Sequence, residues 1–303
     1  MKLAPVLLIP VMTVTVMATH QEMDTVLKGK VTQKTVYRCV NPSAQAIQKK
    51  DCRYKTVILY NNNGKQSKAV HYYRNRISYT IKFIHSDKGN LTGKKKFNAQ
   101  GKLIQSEQFS YDRNSTLLEW KSYDQKGLLY ERKTYLYNEQ GKQVQQARHR
   151  PAGGYYEKWI YTYDTQGNKL KTENYREDKN RNWSEMYRYN DEGLLVETLM
   201  YSKGAFLFKI IYNYNKKKFI VEKLEYDKNN RQFARTACTY DSRDNVISRV
   251  RYWSDGTVDR RKTFSYDEVG NITVKKSFVV KTKKGDPMEK LTEMLIFEYI
   301  YAR

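Results

Sequence analysis

The residues able to do specific chemistry are few: four histidines, three cysteines and scattered acids in a chain of 303 residues. His20, His71, His85 and His149 stand far apart. No HExxH, Cys-x-x-Cys, Gly-x-Ser-x-Gly or phosphate-loop pattern accompanies them. Neither a metal nor a cofactor is expected. Glu177-Asp178 and Asp191-Glu192 are paired acids, but they lie in or beside turn sequences, where solvated charge accounts for them. Acid–base cleavage of a glycan needs two carboxylates about 5–9 Å apart in a cleft. No catalytic residue is therefore assigned. Cys39 and Cys52 could pair in an oxidising compartment, and Cys238 is left over.

The remaining chemistry is charge. Lys and Arg number 56 against 32 Asp and Glu, a formal net charge of +24. Lys94-Lys95-Lys96, Arg148-His149-Arg150 and Lys216-Lys217-Lys218 concentrate it, and their lysines and arginines are the candidate anion contacts. A field of that size draws polyanions. Lysines on turns and strand edges also keep an open sheet from pairing with another chain.

A repeat supplies the elements that must carry these groups. An aromatic ring recurs at Tyr60, His85, Tyr111, Tyr137, Tyr163, Tyr189, Tyr214, Tyr240 and Tyr266, with a period of 26 residues twice shortened to 25. The next residue is Asp or Asn in all units but one, as at Asp112, Asp164, Asp241 and Asp267. Four after the anchor stands glycine in most units, as at Gly141, Gly167, Gly193 and Gly270. An Asp that accepts backbone N–H bonds from residues two and three ahead, followed by a glycine at positive φ, closes a short hairpin loop. A calcium loop would need about six to eight oxygens converging on one point, and one acid per turn does not deliver them. A weaker aromatic series halfway between the anchors, including Phe97, Tyr123, Tyr175 and Tyr226, splits each unit into two strand-plus-turn halves.

Residues two apart share a face of a strand. Phe109, Tyr135, Tyr161 and Tyr187, each two before an anchor, thus continue one aromatic face, and Ser110, Thr162, Arg188 and Asn213 give a wet one. Cys238 takes one of these aromatic positions, so a buried free thiol is expected. Leu, Ile, Val and Phe make up about a fifth of the chain, near the ~20% line below which charged chains stay disordered. Ladders of rings, each burying about 150–250 Å², replace the aliphatic core. The predicted fold is all-β: a long antiparallel meander of about 18 strands, curved or coiled as a single sheet.

Met1 to Ala18 has one early lysine, an apolar run and small residues before a cut site, the layout of a secretory signal peptide. The expected organisation is a signal over 1–18, an N-terminal cap over 19–56, the repeat array over 57–285 and a C-terminal capping strand over 286–303. After signal removal no run of about 18 apolar residues is left to span a membrane as a helix.

The blocks Tyr163-Asp164-Thr165-Gln166-Gly167-Asn168 and Tyr266-Asp267-Glu268-Val269-Gly270-Asn271 resemble the YDxxGN signature of RHS-like YD-repeat proteins, and Tyr137 to Lys142 is a looser match. The resemblance covers residues 57–285. The period is longer than in typical RHS shells and closer to the short exported YD-repeat proteins common in Bacteroidota. It implies a scaffold, with no shared catalytic residues. The expected function is that of an exported, noncatalytic protein of the periplasm, cell surface or medium. It would bind an anionic envelope polymer or a protein partner, with nucleic acid secondary. The alternative is a shell-like or accessory component of an RHS-type toxin or secretion system. A glycan-acting enzyme and an outer-membrane barrel rank behind it. Strands such as Lys169 to Tyr175 lack a lipid-facing apolar residue on either parity.

Overall fold

The computed structural model describes residues 27–42, 48–283 and 286–302. The signal expected over 1–18 and the start of the cap lie outside them. The described residues form one sheet of twenty antiparallel strands with only two short 3-10 turns, Lys49–Asp51 and Lys179–Arg181. In chain order these are β1 (Val31–Val40), β2 (Tyr54–Tyr60), β3 (Gln66–Tyr73), β4 (Arg76–His85), β5 (Leu91–Asn98), β6 (Leu103–Tyr111) and β7 (Leu117–Asp124). They continue with β8 (Leu129–Tyr137), β9 (Gln143–Arg150), β10 (Gly153–Tyr163), β11 (Lys169–Arg176), β12 (Trp183–Tyr189), β13 (Leu195–Ser202) and β14 (Ala205–Tyr214). The last are β15 (Ile220–Asp227), β16 (Gln232–Tyr240), β17 (Val246–Trp253), β18 (Val258–Tyr266), β19 (Ile272–Lys283) and β20 (Asp286–Tyr301).

Each strand pairs with its neighbour in sequence, and β1 pairs with both β2 and β20. The sheet therefore closes into a barrel. The repeats supply eighteen strands, β2 to β19, and β1 and β20 bring the total to twenty. Closure corrects one expectation: the sheet is neither open nor coiled. The physical reason is β1. It supplies backbone partners to both edges that a meander would leave free, and closure removes those edges altogether. Twenty strands about 4.8 Å apart and tilted by 35–45° give a circumference of roughly 120–135 Å. Barrels of 16–18 strands already enclose a channel.

The turns explain the repeat. At the anchor rim the residue after each anchor donates its N–H to the carbonyl four residues on, and the glycine four after the anchor donates back, as in Asp164–Asn168 and Gly167–Asp164. The Asx side chain accepts from residues two and four ahead, as Asp112 does from Asn114 and Thr116 and Asp241 from Arg243 and Asn245. The expected bond to the residue three ahead is replaced by this pattern, because that N–H closes the backbone turn. All nine positions four after an anchor have positive φ, including Ser115 (+65°), Lys218 (+65°) and Asp244 (+64°). The register thus imposes the left-handed conformation even where glycine is missing.

Hydrophobic packing lies within the wall. Phe264, Ile272 and Phe297 are buried together, with Val36, Val246, Tyr266, Leu295 and Tyr299 packed around them. This cluster joins the last strands to β1 at the closing seam. A disulfide between Cys39 and Cys52 ties the end of β1 to the segment before β2.

Candidate functional site

The anchor tyrosines lie on the more buried face of the sheet, which is the face turned into the barrel. Tyr111, Tyr137, Tyr163, Tyr189, Tyr240 and Tyr266 each donate the phenol O–H to the backbone carbonyl 20 residues earlier, at 2.7–3.0 Å. Tyr214 reaches Leu195 in the same way. For Tyr163 the acceptor, Gln143, is the register partner of Tyr137, so each phenol stitches its unit to the one before. Tyr60, the first anchor, is half-buried. Burial raises the phenol pKa along the face, to about 12 at Tyr161, so these groups remain donors at neutral pH.

The same face carries charge, most of it compensated. Glu131 and Glu157 both bind Arg148, at 2.7 and 3.1 Å, and Glu157 also holds Arg176 at 2.9 Å. Glu225 and Asp259 hold Arg251. Glu185 is only 2% exposed; the Tyr187 hydroxyl donates to its Oε2, and Oε1 has no hydrogen-bond partner. Burial pushes this carboxyl above the usual range.

The predicted anion contacts are dispersed. Lys94 and Lys96 point to the tyrosine face, where Lys94 pairs with Glu107 at 3.3 Å and Lys96 lies 4.2 Å from the Tyr79 ring centroid. Lys95 points the other way and is exposed. Arg148 is engaged as described, and Arg150 pairs with Glu177. Lys217 pairs with Asp244 at 2.8 Å and Lys218 with Glu192 at 3.3 Å. Lys216 lines a rim cavity of about 560 Å³ with Asn190, Tyr212 and Asn215.

Two histidines are engaged with neighbouring side chains in the wall. His71 stacks on Tyr79 at 4.1 Å and bonds Thr56; burial and nearby Lys96 hold its pKa low. His149 bonds Thr134, and burial and Arg132 depress it likewise. His20 lies outside the described residues. Cys238 is half-buried, and burial pushes its thiol up. Among the described residues no group of three or more His, Cys, Asp or Glu is placed to hold a metal.

The outward face holds a feature that reading along the chain missed. Lys68 on β3 faces Lys82 on β4, and Lys82 faces Lys95 on β5, so three exposed lysines stand in one cross-strand row. Leu59 and Ser106 end the row. None of the three is ion-paired among the described residues, while Lys82 Nζ sits 5.4 Å from the Phe97 ring centroid. The equivalent cross-strand positions are apolar in several units, as in Met186 with Leu199, Ile211 with Leu224 and Ala237 with Val250, and carry a single cation in others, as in Gln108 with Lys121 and Thr263 with Lys276. The sequence signal was available as a departure from this repeat column, once register was known.

No family model matches the chain, and no curated protein does. Among solved structures, a porin-like protein from Bacteroides uniformis is 10% identical with a TM-score of 0.42, over 90% of this chain and 99% of that one. A TcdB2-TccC3-Cdc42 structure is 10% identical with a TM-score of 0.38, over 85% of this chain. The Photorhabdus luminescens Tc holotoxin pore is 11% identical with a TM-score of 0.37, over 86%. This chain spans 18% and 16% of those two toxin chains, and nearly all of the porin-like one.

Proposed function

We propose that the protein is an exported, noncatalytic β-repeat barrel that binds an anionic partner at the cell envelope. The observation that carries this reading is the distribution of charge. Carboxylates compensate much of the tyrosine face, while the outward face keeps exposed lysines at Lys68, Lys82 and Lys95 that are not ion-paired among the described residues. Outward mid-strand positions also carry Glu119 with Lys121 and Arg132, and Arg188 with Glu197. A hydrocarbon environment charges about 2–4 kcal/mol for a cation at its midplane, so this wall suits water. A second reading draws on the closed wall and the YD-type blocks: a shell-like component of an RHS-type system, with the lumen as its working volume.

Retention of the purified protein on lipopolysaccharide, peptidoglycan, acidic glycans and DNA across a salt series tests the first reading. Preferential retention by one polymer at about 150 mM salt, where the Debye length is roughly 8 Å, supports it. Uniform binding that disappears with salt overturns it and leaves the shell reading.

A further inference from the structure

We propose that the outward lysine row, Lys68, Lys82 and Lys95, is a binding site for a phosphate ester carried on a glycan; this rests on the anionic-partner reading above. Like charges directly opposite on a sheet destabilise it, because facing Cβ atoms are about 4.5–5.5 Å apart. Here two such contacts share the central Lys82. The neighbouring outward positions offer no relief: Ile84 and Gly93 lie on one side, and Val70, Thr80 and Phe97 on the other. A position that other units fill with an apolar pair or with at most one cation has become a basic row that is not ion-paired among the described residues.

The row spans two inter-strand steps, about 9.6 Å between its outer backbones. The flexible four-carbon stems of Lys68 and Lys95 can therefore converge on an anion above Lys82. Three ammonium groups match a doubly charged, three-oxygen phosphate monoester better than a singly charged carboxylate, and lysine binds phosphate as a point charge. The Phe97 ring beside Lys82 positions the central cation without removing its charge, and it offers an apolar surface to the attached sugar. A duplex nucleic acid, with a charge every ~3.4 Å along each strand, would leave most of its phosphates beyond so short a row.

Binding of a phosphomannan and of its phosphatase-treated form, to the intact protein and to Lys82→Gln, tests the site. Lys158→Gln serves as a charge-matched control. The expected result is that the wild type and the control prefer the phosphorylated polymer, while Lys82→Gln binds it about tenfold more weakly or worse. In phosphate-free, low-salt buffer Lys82→Gln should melt above the wild type, since it relieves repulsion. Equal weakening by both variants, or unchanged binding in Lys82→Gln, overturns the site. If the wild type still binds other polyanions in that case, the broader reading survives; if it binds none, both fall. Inorganic phosphate and anionic lipid vesicles form the remaining arms, and preference for vesicles over phosphomannan overturns the glycan assignment.

Discussion

At the scale of single residues, the phenol of each anchor does two jobs: it fills the wall and it satisfies a carbonyl of the preceding unit. Tyr163→Phe keeps the ring and removes the bond to Gln143, so it should cost about 1 kcal/mol in denaturant titration, the net worth of one intramolecular hydrogen bond. Glu185 behaves oppositely. Its folded-state pKa is raised by burial, so the folded protein holds that proton longer than the unfolded chain does. The group's contribution is fully present below the ordinary carboxylate pKa and is lost as pH rises through the folded value. Glu185→Gln removes that slope and the buried charge whose Oε1 has no partner. It should therefore be more stable than the wild type at neutral pH by about 1–3 kcal/mol and indistinguishable from it in acid. A variant less stable at neutral pH would show that the carboxylate is held by compensation not visible around it.

At the scale of elements, the turns and β1 matter most. Ser115 adopts a φ of +65° without being glycine, and an L-residue in that conformation costs roughly 1–2 kcal/mol. Ser115→Gly should therefore raise the unfolding midpoint, by less than the full strain because glycine gains entropy in the unfolded chain. The strand β1 is the stave that closes the barrel. Deleting residues 27–40 should leave β2 and β20 with open edges and produce concentration-dependent oligomers by size-exclusion chromatography; a monomeric product would show that the edges meet without it. The same elements mark what could be read in advance. The anchor spacing and the Asp-to-Gly turns announced strands, loops and an aromatic face, because each is a local pattern. Closure depends on Val31–Val40 meeting Asp286–Tyr301, across almost the whole chain, and no local pattern encodes it. The clustered cations part company for a related reason. Lys94, Lys95 and Lys96 adjoin in sequence, yet alternation sends the middle one to the opposite face, where its neighbours are Lys82 and Lys68 from other strands.

At the scale of the whole molecule, the governing quantity is the net charge of +24 spread over a thin wall. A charge far from zero destabilises a compact state by self-repulsion, and salt relieves it by shortening the Debye length from about 30 Å at 0.01 M to about 8 Å at 0.15 M. For the protein alone, the melting temperature should rise with added sodium chloride over that range. A polyanion that binds the folded barrel reverses the sign. At a free concentration about 100 times its Kd it stabilises by about 2.7 kcal/mol, and salt weakens that binding by competing for the charges. In the presence of phosphomannan the melting temperature should therefore start higher and fall as salt is added, converging on the ligand-free curve. Parallel rising curves with and without the polymer would mean that the charge serves only to keep the barrel soluble and apart from its copies.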